Sequence, residues 1–219
     1  ALCVSVQDLN YNANISTDYT AESAVFSNIG LSNADSECEV VIGNDVTNIP
    51  GYLFYCADTA DNANGITKVT VGNGVTTIGT HAFANCNKLD YITMGSAVAN
   101  IKTNAFLGCT ALYELNIASI AAWSAVTLED ITAHPFMHIL LQENAEENIL
   151  EELNTKLYAN GTEVTNLAIP TGVYTVNNWV FAAIGNVQGL TLGENVTTIG
   201  QGAFTLCTNI AGELKIPAS

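Results

Sequence analysis

Ile66-Thr67-Lys68-Val69-Thr70-Val71-Gly72-Asn73-Gly74-Val75-Thr76-Thr77-Ile78-Gly79-Thr80-His81-Ala82-Phe83-Ala84-Asn85-Cys86 is the stretch that decides the fold. Its apolar positions return 23 residues later as Leu89, Ile92, Met94, Val98, Ile101, Ala105, Phe106 and Cys109. A second tandem pair lies near the other end. Val164, Leu167, Ile169, Val173, Val176, Phe181 and Ile184 reappear, again at 23 residues, as Val187, Leu190, Leu192, Val196, Ile199, Phe204 and Cys207. A fixed period of this length means a repeat architecture in which one unit cannot bury its own apolar side and the stack does.

Within each unit, Val69-x-Val71 alternates with period two and reads as a short strand with one face buried. Gly43, Gly72, Gly95, Gly193, Pro170 or Pro217 follows and turns the chain. A Val-x-x-Ile segment returns along a second wall, and an Ala-Phe pair closes the coil. Five of the seven phenylalanines (Phe54, Phe83, Phe106, Phe181, Phe204) share one repeat position, which predicts a core spine and not an aromatic ligand box. Val40, Ile42, Val46, Ile49 and Phe54 form an earlier coil with about six extra residues after it, around 57–62. Leu112, Leu115 and Ile117 begin a coil that is interrupted, and Ile210, Leu214 and Ile216 begin a last one.

Strand, Gly or Pro, Val-x-x-Ile, Ala-Phe and Cys in this order resemble the BspA-like leucine-rich repeats, common in bacterial cell-surface proteins. The signature covers roughly 150 of the 219 residues. The resemblance implies a leucine-rich-repeat-type solenoid, mainly β with short parallel strands. It also implies secretion or surface display, with binding to host or matrix proteins in some members. The expected organisation is an N-terminal cap (1–36), a first repeat block (37–122), an insertion (123–162) and a second block (163–219) whose last coil is incomplete. In the insertion, Leu141, Ala145, Ile149, Leu153 and Leu157 recur every four residues and predict an amphipathic helix with Glu143, Glu147 and Glu151 on its polar side. Tyr158-Ala159-Asn160-Gly161 is its expected stop and turn.

Composition narrows the function. Five Lys and Arg stand against 21 Asp and Glu, a formal charge of −16, which repels phosphate backbones and anionic lipid surfaces. Nucleic acid is thereby excluded as a partner. No apolar run approaches the roughly 20 residues that span a bilayer. Ala1–Val6 shows no basic segment followed by a long apolar one, so the chain reads as a mature or cut form without its signal peptide.

The chemistry-bearing residues give no catalytic constellation. There is no Gly-x-Ser-x-Gly, phosphate loop or His-Glu-x-x-His. Glu129 and Asp130 are adjacent and point apart if extended. Cys86, Cys109 and Cys207 share a position that Ile184 fills in another coil, which predicts buried thiols acting as small hydrophobes. Cys3, Cys38 and Cys56 lie outside that ladder, and one pair of them suits a disulfide if the protein is exported. His134 and His138 sit four apart with Glu143 nearby, yet Pro135 starts a helix there more readily than it sits inside one. Further zinc ligands are lacking. The glutamates at 143–152 lack a calcium loop. No metal or other cofactor is expected.

Residues between the buried strand positions must face outward on one continuous sheet. Lys68, Tyr91, Thr93, Glu114, Asn116 and Asn166 are the candidate ligand-binding residues, since an exposed tyrosine among polar groups gives contact area at low entropy cost. The expected function is a non-catalytic, exported surface or secreted module that binds an extracellular protein or glycan through this face. A structural spacer without a ligand of its own is the alternative. The last coil stops at Ile216-Pro217-Ala218-Ser219, an open parallel edge that predicts either further chain or an edge-mediated dimer.

Overall fold

The structure, a computed structural model, describes residues 8–26, 37–56, 65–136, 153–212 and 214–216. It is a solenoid of parallel strands. One wall is a seven-stranded sheet of β1 (Asp8–Tyr11), β2 (Cys38–Ile42), β4 (Ile66–Thr70), β6 (Tyr91–Thr93), β8 (Glu114–Ile117), β10 (Lys156–Ala159) and β11 (Thr162–Glu163), in that spatial order. The second wall carries β3 (Asn48–Ile49), β5 (Thr77–Ile78), β7 (Asn100–Ile101) and β9 (Thr127–Leu128), again each beside the next. In the second block β12 (Asn166–Ala168) pairs with β14 (Gly189–Thr191), and β13 (Thr175–Val176) with β15 (Thr198–Ile199).

The alternation read from sequence sets the register. Val69 pairs with Ile92, which pairs with Leu115, and all three are fully buried. Between the walls runs the phenylalanine spine. Phe54 stacks on Phe83 at 5.1 Å between ring centroids, Phe83 on Phe106 at 5.6 Å, and Phe181 on Phe204 at 5.7 Å. Interplanar angles of 2–4° make these parallel stacks of one repeat position.

The residue before each Ala-Phe-type pair adopts a left-handed backbone: Tyr52, His81, Asn104, Trp179 and Gly202 have φ between 55° and 64°. The turn must reverse within one residue there, and for Tyr, His and Trp this costs on the order of 1 kcal/mol. Ring stacking offsets it where Tyr52 lies on His81, with centroids 4.7 Å apart and planes 10° apart. His81 is thus half-buried in a column of turn residues.

Residues 8–26, expected as a cap, form a coil of their own. β1 pairs in parallel with β2, and Phe26 stacks on Phe54 at 5.3 Å, extending the spine by one ring. Its second wall is made by side chains. Asn14 Oδ1 accepts from the Thr47 N–H (2.7 Å) and Asp18 Oδ1 from the Gly51 N–H (2.6 Å).

The coil begun by Leu112 also continues. A short helix α1 (Ile120–Ser124), capped by Ser119, leads to β9, and a 3₁₀ turn (Ile131–Ala133) leads to buried Phe136. The amphipathic-helix reading is corrected at its C-terminal end. Leu153–Thr155 are not helical, and Leu157 lies in β10, paired with Leu115. Leu141, Ala145 and Ile149 lie outside the described residues. Asn160 (φ 49°) and Gly161 (φ 75°) are a two-residue hairpin turn between β10 and the antiparallel β11, not a helix stop.

The two repeat blocks are joined by backbone and side-chain bonds. Trp123, 2% exposed, donates its indole N–H to the Val180 carbonyl, and Asn177 bonds Ser124, Ala125 and Val126. Thr155 donates its hydroxyl to the Ala183 carbonyl at 2.6 Å. No described helix is long and apolar enough to cross a membrane.

Candidate functional site

Parallel pairing stacks the outward residues of the large sheet into rows. One row runs Glu39, Lys68, Tyr91, Glu114 and Lys156; its neighbour runs Val41, Thr70, Thr93, Asn116 and Tyr158. Lys68, Tyr91, Thr93, Glu114 and Asn116 are therefore brought together, one coil spacing apart. Asn166 is not among them. It lies in β12, paired only with β14, because the β10–β11 hairpin ends the large sheet before the second block begins. The expected single continuous sheet is thus two sheets.

Beside the first row lies a groove of about 440 Å³ lined by Lys68, Asp90, Tyr91, Ala111, Tyr113 and Glu114. Three of these are residues singled out from the sequence. Asp90 and Tyr113 precede their strands and were missed, as were Lys156 and Tyr158. Lys156-Leu157-Tyr158-Ala159 alternates with period two ahead of an Asn-Gly pair, a hairpin signal that could have found them. The Asp90 carbonyl accepts from the Tyr113 and Glu114 N–H groups (3.3 and 3.1 Å), which joins the two coils at the foot of β8. Lys156 reaches Glu114 at 3.7 Å, with both side chains well exposed, so the pair is weak. The ring of Tyr158 meets that of Tyr91 edge-on, with centroids 6.4 Å apart.

Burial raises the Asp90 carboxyl above its usual range. Lys68 pulls it down, and Glu114 and Glu37 push it up. The Tyr158 hydroxyl is likewise raised by burial, and Glu114 adds to it. Asn116 serves the scaffold: its Oδ1 accepts from the Gly161 N–H at 2.9 Å and its Nδ2 lies 3.4 Å from Thr93 Oγ1. Asn116 therefore holds the hairpin against the sheet, with Thr93 accepting from its amide.

The remaining candidates resolve into structure. The Cys86, Cys109 and Cys207 thiols each donate to the carbonyl of a phenylalanine in the preceding coil (Phe54, Phe83 and Phe181, at 3.4, 3.1 and 3.0 Å). They are ladder hydrogen bonds as well as small apolar groups. No disulfide joins Cys38 to Cys56 among the described residues, and Cys3 lies outside them. Burial pushes the Cys38 and Cys207 thiols up to about 11 from an ordinary value of 9.0. A thiol that ionises later when folded than when unfolded stabilises the fold fully below the unfolded value and loses that contribution as pH rises toward the folded one. Stability measured by urea unfolding is expected to fall from about pH 9 to pH 11, and less steeply in a Cys38→Ala, Cys207→Ala variant compared with its own value at pH 7.

Glu129 and Asp130 converge instead of pointing apart. Glu129 accepts from the Thr103 N–H (2.9 Å) and hydroxyl (3.0 Å), and Asp130 from that hydroxyl at 2.9 Å. These bonds hold Glu129 below the usual carboxylate range and fasten one coil to the next. His134 is buried, and its Nδ1 accepts from the Phe136 N–H at 3.1 Å; His138 and Glu143 lie outside the described residues. No described group of three or more His, Cys, Asp or Glu residues could hold a metal ion.

A family model described as the BspA type leucine-rich repeat region matches residues 2–113 and 129–219, in six copies. Among solved structures, the chain is similar to a leucine-rich repeat protein of T. pallidum (19% identity, TM-score 0.39, 83% of this chain and 86% of that one). It is also similar to a leucine-rich cell surface protein of Faecalibacterium prausnitzii (17% identity, TM-score 0.34, 97% and 70%) and a leucine-rich repeat protein of Eubacterium ventriosum (20% identity, TM-score 0.33, 91% and 59%). No curated protein matches the chain.

Proposed function

The chain belongs to the BspA-type leucine-rich repeat family, and from that premise we propose that it is a non-catalytic interaction module of the cell surface or the extracellular space. Its ligand, a protein or a glycan, is bound on the outer face of the seven-stranded sheet. Stacked repeats present an extended surface suited to interaction or scaffolding, and surface display is what this family implies. The observation that carries the reading is the in-register row Lys68–Tyr91–Glu114–Lys156 bordering a groove of about 440 Å³. Tyrosine, carboxylates and amines offer apolar area and charge together, on strands that hold them fixed. The remaining outward positions of the neighbouring row are mostly Thr, Val and Asn.

Arrays of extracellular-matrix proteins and of glycans, probed with the intact chain and with Tyr91→Ala and Glu114→Ala, test this. The intact chain is expected to bind at least one array member, and each variant to weaken that binding by about tenfold or more with an unchanged melting temperature. An array that stays blank, or binding indifferent to both substitutions, favours the spacer role instead.

A further inference from the structure

Resting on the sheet-face reading and deepening it, we propose that the groove between Asp90, Tyr91, Tyr113 and Glu114 is a receptor for an arginine side chain of a polypeptide partner. The groove is small, about 440 Å³, near the lower end of the range for ligand clefts. That suits one long side chain and its flanking backbone better than a folded surface. Its lining combines two aromatic rings with two carboxylates. Tyr113, 42% exposed, and Tyr91, in edge-on contact with Tyr158, line the groove with aromatic surface for a flat cation, and Asp90 and Glu114 supply the anionic acceptors. A guanidinium uses both kinds of contact at once, stacking through its plane and donating through its edge, whereas an ammonium offers only a point charge.

Charge complementarity extends beyond the lining. Glu37 and Glu39 border the same sheet next to Lys68, and the whole chain carries −16. A field of this sign steers cationic partners and repels anionic ones. Two lysines oppose it locally. Lys68 lines the groove and Lys156 pairs with Glu114 at 3.7 Å on the far side. The Lys156 pair is solvent-screened and Lys68 acts on Asp90 only through its field, so an incoming guanidinium can displace both amines. This makes a specific demand: removing either amine must tighten binding.

The test uses the intact chain and an extended, end-capped peptide whose single charged residue is an arginine, alongside the same peptide with citrulline, which keeps the shape and loses the charge. Binding is read by backbone amide shifts and by calorimetry at low and physiological salt. Arginine is expected to bind about tenfold more tightly than citrulline, with the largest shifts at Tyr91, Tyr113 and Glu114. An Asp90→Asn, Glu114→Gln double variant should bring that ratio to about one. An Asp45→Asn, Glu194→Gln double variant, with the same change in net charge away from the groove, should leave it intact. Lys68→Gln and Lys156→Gln should each tighten arginine binding by a few fold. Equal binding of citrulline, equal loss in the distant double variant, or weaker binding after lysine removal overturns the proposal. If the array partner still needs Tyr91 while the arginine peptide shows no preference, the sheet-face reading stands and the arginine assignment falls.

Discussion

Phe83→Ala is expected to destabilise the chain by about 4 kcal/mol, and Phe204→Ala by about half as much. Phe83 is fully buried and lies between two parallel rings, Phe54 at 5.1 Å and Phe106 at 5.6 Å. Its removal empties a slot that neither neighbour can fill, because each is fixed by its own coil. Among the described residues Phe204 stacks on Phe181 alone, and it is only partly buried. In a linear array an internal rung couples two interfaces and a terminal rung couples one, so the two losses should differ in that ratio. Phe83→Leu keeps most of the volume and should cost no more than about 1.5 kcal/mol.

The same substitution probes cooperativity. Both tryptophans, Trp123 and Trp179, lie in or beyond the coil that joins the blocks. Weakening the array at Phe83 should let the N-terminal coils melt first. Far-UV circular dichroism would then fall before tryptophan fluorescence changes, while the unmodified chain shows coincident curves. Equal losses for Phe83→Ala and Phe204→Ala would falsify a ladder held together by nearest-neighbour contacts.

What the sequence made legible divides along locality. The spine and both walls could be read because the same side chains meet their own copies at constant spacing. Thus Val69, Ile92 and Leu115 identify one another without any knowledge of the third dimension. The row Lys68, Tyr91, Glu114 came with them, since outward positions alternate with buried ones. Leu157 fails this test. It fits a four-residue helical stripe and equally a period-two strand, and the choice is made by Leu115, some forty residues earlier, with which it pairs. Only the Asn160-Gly161 turn signalled the hairpin locally. Residues 8–26 were hidden for another reason. Their second wall uses Asn14 and Asp18 side chains to bond backbone that a Val-x-x-Ile segment would otherwise pair with, so the coil survives while its signature does not. Asn166 was misplaced because repeat position predicts which face a residue takes, but not whether the sheet beneath it continues.

Gly95→Ala should be nearly as damaging as the loss of a spine ring, although it adds one methyl group. Gly43, Gly72 and Gly95 stand over one another at the turn that leaves the first wall. A Cβ built on Gly95 would lie 2.1 Å from the Gly72 carbonyl oxygen, and one on Gly72 would lie 2.4 Å from that of Gly43. Those contacts are to backbone in a paired sheet, so no flexible side chain can swing aside. The coils must separate instead, lengthening the Val71 N–H bond to the Thr93 carbonyl (2.9 Å) and the Ser96 N–H bond to Asn73 Oδ1 (3.0 Å). Overpacking plus two stretched hydrogen bonds amounts to about 3 kcal/mol. Two glycines separate this cause from glycine's general properties. A Cβ on Gly172 meets nothing within 4 Å, and alanine there should be neutral or stabilising by up to about 0.5 kcal/mol through the unfolded chain. Gly161 also has open space but a φ of 75°, so alanine there should cost about 1 kcal/mol from the backbone alone. Urea unfolding of the three variants should rank Gly95 far below Gly161, and Gly161 below Gly172. If Gly95→Ala instead unfolds with Gly161→Ala, the coils are not in contact at this turn, and the spacing that stacks Tyr91 beside Glu114 loses its physical basis.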